Sequence, residues 1–367
     1  MHDKISDENI QRILDEFNYA GRFIGLAPYG AGHINDTFLI EFDTPKTYYI
    51  LQRINSGIFQ NVPALMRNFE LVTDFLGKKC LAAGVDPKRG ALTLIYTRSG
   101  KSYVKLKDEY FRSFVFIDRA TAHQSVEKPE HFFEAGRAFG RFAALLGEFD
   151  ASQLFESIPN FHDTAKRYAT FIRTLESDTQ KRVAGVADEI AFTLARKAIT
   201  KKVVDLLSKN ELPLRVTHND TKLNNVMIDD ESGEGIAVID LDTVMAGSLL
   251  YDFGDSIRSG CNTGAEDEKN LSLVHFDLGL FESYARGYLK EVGGFITQKE
   301  RELLTFAPIL MTFECGMRFL TDYLDGDRYF KTKYPEHNLD RARTQYKLVA
   351  EMEQRTEDMK RILEECF

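Results

Sequence analysis

Leu214-Arg-Val-Thr-His-Asn-Asp-Thr-Lys-Leu-Asn-Asn-Val-Met-Ile-Asp229, followed after a polar turn by Gly235-Ile-Ala-Val-Ile-Asp-Leu-Asp242, decides the reading of this chain. Reduced to its chemistry, the stretch is His218-x-Asp220-x4-Asn225 with a second apolar run ending at Asp240. The runs Val226–Ile228 and Ile236–Ile239 flank a segment, 229–235, rich in glycine, serine and acids, which is the pattern of a β-hairpin. A hairpin brings its ends together, so Asn225 entering it and Asp240 leaving it are expected side by side. Two oxygen donors beside the carboxylate of Asp220 suit Mg²⁺ bridging the phosphates of ATP, with Asp220 accepting the proton of an attacking hydroxyl. The plainer alternative is that these acids and amides only cap turns at strand ends. A strand-ending Asp placed just past a hairpin weighs against it.

Outward from this stretch, composition sets the bounds. With 367 residues, two lobes or domains are expected, and 43% hydrophobic with 28% charged residues is ordinary for a globular protein. A net charge of −9 argues against nucleic-acid or anionic-membrane partners. A polyphosphate must then be held by local devices: metal, loop amides or a helix end. Cys80, Cys261, Cys315 and Cys366 show no CxxC pairing and read as idle thiols in a reducing compartment. The first residues carry no apolar signal region, and the longest apolar run, Phe306–Phe313, falls far short of the about 20 residues of a membrane span. A cytoplasmic protein is expected, and a monomer.

Along the chain, residues 3–20 read as a short amphipathic helix. Gly30, Ala31 and Gly32 lie between two strand-like segments; Asn35 stands where a dinucleotide fingerprint would need a third glycine, and a strand, not a helix, follows. Strand, glycine loop, strand is how a lid covers nucleotide phosphates, because glycine lets backbone amides approach closely. Tyr48–Ile54 is a third strand that carries no lysine; Gln52 or, on the opposite face, Arg53 is what it offers to phosphates, and alternation with Ile50 and Ile54 suits Gln52. Residues 61–80 read as a helix and Tyr110–Ile117 as another apolar strand, after which the pattern turns helical, placing a lobe boundary near 118. Gly100-Lys-Ser is a decoy, since Ile95 stands where a Walker loop needs glycine.

Beyond 118, Phe132, Ala135, Phe139, Phe142, Leu146 and Phe149 form one buried helical stripe. Single helices are expected over 186–209, 298–325 and 339–365, with Glu314 and Arg318 placed for an i,i+4 salt bridge. Tyr251-Asp-Phe-Gly-Asp255 spells a protein-kinase metal triad, but nothing ties Asp252 to Asn225 as the hairpin ties Asp240. Asp252 is expected to accept hydrogen bonds from loop amides. Asp242 either lines the pocket or faces solvent.

These residues resemble the aminoglycoside-phosphotransferase and homoserine-kinase branch of the protein-kinase-like superfamily, and within it the N-acetylhexosamine 1-kinases. The resemblance is carried by 28–35, 214–225, 239–243, 253–258, 314–318 and 333–339. It implies a two-lobed α+β fold, with a nucleotide-binding lobe over 1–117 (antiparallel sheet plus helices) and a larger, mainly helical catalytic and sugar-binding lobe over 118–367. It also implies an ATP- and Mg²⁺-dependent kinase acting on the anomeric hydroxyl of GlcNAc or GalNAc. Asp220 becomes the base facing the sugar, and Asn225 with Asp240 the Mg²⁺ ligands. Gly30, Ala31, Gly32, Gln52, Phe116 and Ile117 fall at the nucleotide, with adenine near 116–120; His33, Asp242, Thr243, Arg318 and Tyr329 fall around the sugar. Ser259 replaces an aromatic expected in close relatives, which bears on recognition of the acetamide. Two alternatives stand beside this reading: a kinase for another small alcohol (homoserine, choline, methylthioribose or an aminoglycoside), and a non-catalytic nucleotide-binding scaffold.

Overall fold

The computed structural model describes residues 7–30 and 34–367. Its first part runs α1 (Asp7–Glu16), β1 (Arg22–Pro28), β2 (Asp36–Asp43), β3 (Thr47–Ile54), α2 (Val62–Ala82), the short α3 (Pro87–Gly90), β4 (Val104–Leu106) and β5 (Glu109–Val115). The strands form one antiparallel sheet in the order β1-β2-β3-β5-β4. Alternation gives the sheet two different faces. Ile40, Phe42, Tyr49, Leu51 and Phe111 pack with Ile13, Leu14 and Phe17 beneath α1. Ile54 and Phe114, on the other face, join α2 and the large core that continues into the helical part. Helix α2 starts where local chemistry favours it: Asn61 accepts from the Ala64 amide at 3.1 Å, and Pro63 follows in the first turn.

The second part runs β6 (Ala120–Thr121), α4 (Pro129–Leu145), α5 (Thr164–Ser177), α6 (Ala187–Ala195), α7 (Lys202–Ser208), β7 (Arg215–Thr217), β8 (Val226–Asp229), β9 (Gly235–Val238), β10 (Met245–Gly247), α8 (Leu249–Gly260), α9 (Leu278–Val292), α10 (Gln298–Leu303), α11 (Phe306–Asp325), α12 (His337–Gln354) and α13 (Thr356–Cys366). Strands β8 and β9 form the expected hairpin, with β6 along its edge, while β7 pairs with β10. Phe132, Ala135, Phe139, Phe142 and Leu146 are buried as the stripe requires, and Phe149 packs against them partly buried. Glycine sets the spacing of α4 against α9: a Cβ on Gly287 would sit 2.1 Å from the Phe133 carbonyl oxygen.

Four expected helices are corrected. The first spans only Asp7–Glu16 within the described residues, Phe17 already bridging to Thr97. The run 186–209 breaks into α6, a 3₁₀ turn over Lys197–Lys201 and α7; inside that turn the Thr200 hydroxyl donates to the Lys197 carbonyl, a local bond that competes with the helical ladder. The run 298–325 divides at Leu304–Thr305 because Pro308 has no amide to continue the ladder backwards and instead falls in the first turn of α11. The run 339–365 divides at Arg355 into α12 and α13. The last apolar strand also stops at Val115, short of Ile117.

Candidate active site

The hairpin does what its pattern requires. The Ile239 amide donates to the Asn225 carbonyl at 2.9 Å, so Asn225 and Asp240 stand at the mouth of one strand pair. Asn225 donates from Nδ2 to the Asp220 carbonyl at 2.8 Å and to Asp220 Oδ2 at 3.3 Å, which leaves its Oδ1 as the free donor atom. The other carboxylate oxygen of Asp220 meets Lys222 Nζ at 2.8 Å. Asn219 and Asp240 both adopt left-handed backbone (φ 65° and 59°), an uncommon conformation for residues other than glycine that clusters at functional sites.

The loop from His218 to Asn225 is braced from below by α8. Asp252, in the first turn of that helix, accepts the amides of His218 and Asn219, each at 2.8 Å, as expected of it. Burial pushes its carboxyl up to about 6, against the pull of His218 and of the two amides. Asp255 accepts the Thr221 amide at 3.1 Å and pairs with Arg258 at 2.8 Å. Burial alone would raise Asp255, but Arg258 and Lys222 outweigh it and hold the carboxyl below the usual range. The fully buried His218 ring lies edge-on to Phe139 and Phe142, donates from Nε2 to the Ile239 carbonyl at 2.9 Å and accepts the Asp220 amide at Nδ1. His218 therefore positions Asp220 without reaching the cleft.

From above, three strands converge on Asp242. Thr37, Gln52 and Arg112 are neighbours across β2, β3 and β5. Gln52 donates to Thr37 at 3.0 Å and accepts from Arg112 at 2.8 and 2.9 Å. Arg112 then grips Asp242 bidentately at 2.6 and 2.9 Å, its guanidinium 4.2 Å from the Phe69 ring centroid on α2. Asn35, at the end of the glycine loop, adds a 2.6 Å bond to Asp242. Asp242 thus neither faces solvent nor offers a free carboxylate, and the register settles Gln52 on the inner face while Arg53 pairs with Asp36 and Glu109.

Asp240 is exposed to solvent, though protein surrounds it densely beyond its immediate contacts, and among the described residues no hydrogen bond or ion pair engages its carboxylate. That enclosure, then the charges of Asp242 and Asp220, pushes its carboxyl up to about 7, against Arg112 and Lys222. A surplus of negative charge with two free oxygen donors, Asn225 Oδ1 and the Asp240 carboxylate, is a donor set that fits a hard cation such as Mg²⁺.

Of the residues expected to meet a nucleotide, Ile117 is buried with Met227 and Ala237, and Ile239 packs beside them. The Phe116 ring stands edge-on to Tyr29 and Tyr48. Gly30 has φ +75° with open space around it, while Ala31, Gly32 and His33 lie outside the described residues.

Of the residues expected around an acceptor, Thr243 is buried and its hydroxyl donates to the His218 carbonyl at 2.7 Å. Arg318 lies 5.2–5.7 Å from the ring centroids of Phe161, Tyr329 and Phe330, with Tyr329 59% exposed. The expected Glu314–Arg318 bridge is not formed. Glu314 turns to His162 at 2.7 Å and to the Thr164 hydroxyl, and these partners together with Arg318 hold its carboxyl below the usual range although burial opposes them. A cavity of about 280 Å³ is lined by Lys222 together with Gln124, Asn224, Arg258, Ser259 and Gln345 among others.

Sequence reasoning missed Arg112, Asn35 and Lys222. The signal for Arg112 was a lone cation in the apolar strand 110–117, two strands from Thr37 and opposite Gln52.

Solved structures share this fold. An aminoglycoside phosphotransferase from Alicyclobacillus acidocaldarius superposes with a TM-score of 0.64 at 14% identity, over 100% of this chain and 98% of that one. Spectinomycin phosphotransferase in complex with ADP and spectinomycin gives 0.60 at 15%, over 97% and 99%. A microcompartment-associated aminopropanol kinase gives 0.54 at 16%, over 97% and 99%. The fold is the two-lobed, kinase-like α+β architecture, and no helix among the described residues is long and apolar enough to cross a membrane. The sequence pattern of one family matches residues 25–291, most of the chain, and with the hairpin-mounted acids in place the conclusion follows that this chain belongs to the phosphotransferase enzyme family.

Proposed function

We propose that this protein transfers the terminal phosphoryl group of ATP to the anomeric hydroxyl of an N-acetylhexosamine, GlcNAc or GalNAc, giving the sugar 1-phosphate and ADP. One observation carries the reading: Asn225 and Asp240 stand at the mouth of the β8–β9 hairpin with Asn225 Oδ1 and the Asp240 carboxylate free, and Asn225 also holds Asp220. ATP lies between a nucleotide-binding lobe over 1–117 and a catalytic lobe over 118–367. Its adenine rests on Ile117, Met227 and Ile239 near Phe116, and its phosphates lie under the loop containing Gly30, Ala31 and Gly32.

Asp220 orients and deprotonates the acceptor hydroxyl, its carboxylate held from both sides by Lys222 and Asn225. An anomeric hydroxyl is more acidic than an ordinary alcohol, so a carboxylate is a sufficient base. Asn225 and Asp240 would hold Mg²⁺, which supplies neutralisation of the phosphate oxygens. Arg112 and Gln52 put a cation and an amide on the face of the sheet where the third strand lacks lysine. Arg318 and Tyr329, with His33 from the glycine loop, bind the sugar hydroxyls. Asp242 and Thr243, engaged with protein groups, shape the wall behind it. What supports this acceptor is the resemblance over 314–318 and 333–339 and the positive charge of Arg318, which disfavours cationic alcohols.

The test is ADP release on mixing the protein with ATP, Mg²⁺ and a panel of GlcNAc, GalNAc, glucose, homoserine, choline, methylthioribose and an aminoglycoside. GlcNAc- or GalNAc-dependent ADP with a ³¹P resonance of a sugar 1-phosphate is the expected result. Turnover with another alcohol alone replaces the acceptor, and no ADP with any compound replaces the kinase by a nucleotide-binding scaffold.

A further inference from the structure

Away from this machinery, the segment that follows β6 carries His123 and Glu127, and the first turn of α4 carries His131. One ligand atom from each lies within 4.8 Å of the other two. The two imidazole rings are stacked, with centroids 4.1 Å apart and 28° between planes. His131 Nδ1 is buried with no hydrogen-bond partner, which is costly for a ring nitrogen and calls for a partner that is absent from the protein itself.

We propose that His123, Glu127 and His131 form a site for one zinc-class divalent transition cation. It would fasten the segment after β6 to the start of α4.

Two imidazoles and a carboxylate are the donor set such a cation prefers, and one that Mg²⁺ does not. With metal–ligand distances of about 2.0–2.2 Å, the donors must close to about 3.5 Å of one another. Side-chain rotation alone can supply this, because Glu127 is exposed and both rings are only partly buried. Helix α4 points its positive end at the site, an unfavourable but small effect set against three donors, one of them anionic. The plain alternative is a stacked histidine pair with no ligand, which leaves the unpartnered Nδ1 and the converging carboxylate unexplained. The clamp has a structural consequence. The same segment supplies Gln124, Ser125 and Val126 to the wall of the cavity beside Lys222, and Gln124 accepts from Asn224 at 3.4 Å. The cation would fix one wall of that cavity from outside.

The experiment uses the untagged, full-length protein in saturating Mg²⁺, which occupies any oxygen-donor site, titrated with Co²⁺ and then Zn²⁺. The expected result is one equivalent of Co²⁺ with visible d–d absorption, displaced by Zn²⁺. Binding weakens at least tenfold in His123→Ala and in His131→Ala. Thermal melts without metal show whether these variants fold. Glu127→Gln, at an exposed position, keeps the test intact if they do not, and it too weakens binding severalfold. Absence of stoichiometric binding overturns the proposal, as does binding of equal strength in wild type and Glu127→Gln.

Discussion

Arg112 and Asp242 meet at 2.6 Å in a bidentate ion pair whose side chains are 1% and 3% exposed, linking β5 to the turn that follows the β8–β9 hairpin. Removing one partner of a buried pair typically costs about 3–5 kcal/mol, because the other charge is left unmatched, whereas replacing both by apolar residues of like volume is far milder. Arg112→Met and Asp242→Leu should therefore each lower stability by that order. The double variant should be no less stable than either single one, so it should exceed the additive sum by about 3 kcal/mol or more. Urea unfolding of the four proteins measures this, and strict additivity would mean the pair does not couple the two parts.

Asp220→Asn keeps the shape of the side chain and removes the proposed base. A positioned base typically contributes about 10²–10⁴ in rate, so kcat should fall by that factor with the ATP KM little changed. Asp240→Ala should instead abolish Mg²⁺-dependent turnover, since Asn225 Oδ1 alone is a poor cation site. Steady-state kinetics with varied ATP and Mg²⁺ separates the two, and near-normal turnover in Asp220→Asn would remove it from the proposed role.

How much of this was legible beforehand follows from the range over which each signal acts. The hairpin, the buried stripe of α4 and the amide-accepting role of Asp252 rest on patterns within a few dozen residues, and the structure contains them. Arg112–Asp242 spans 130 residues and Asn35–Asp242 spans 207, and no local pattern announces such partners. Glu314 shows the opposite failure. Its i,i+4 neighbour Arg318 was the obvious local partner, but burial rewarded the better-enclosed His162 and Thr164. Helix ends at Leu304 and Arg355 were lost because apolar periodicity continues through both breaks.

Asp252 gives the protein a pH signature. Its carboxyl is raised to about 6 in the fold from an ordinary value of 3.8. The stability it contributes is fully present below about 3.8 and is lost as pH rises through about 6. At about 1.4 kcal/mol per unit, the change is on the order of 3 kcal/mol. Asp252→Asn does not titrate at this position, and its amide NH₂ would confront one of the two backbone donors. The variant should be less stable than wild type, with the gap largest near pH 4 and narrower at pH 7. Denaturant midpoints at several pH values check it; a gap that widens with pH would reverse the assigned shift.

Lys222 Nζ stands 2.8 Å from Asp220 Oδ1 with its side chain 45% exposed, so under the proposed mechanism its ammonium group orients the base and adds positive charge beside the transferred phosphoryl group. The charge of Asp220, opposed by burial and aided by Asp255, raises its pKa and keeps the lysine cationic. Losing one preorganised electrostatic group of this kind typically costs about 10²–10³ in kcat. Lys222→Met should show a loss of that order with the fold intact by circular dichroism, because the Asn225–Asp220 and Asp252–amide bonds that hold the loop remain. Lys222→Arg, which keeps the charge but not the point geometry, should recover part of the rate. Equal rates for the Met and Arg variants would show that the lysine is mere packing against Asp255, not part of the charge arrangement around the transferred group.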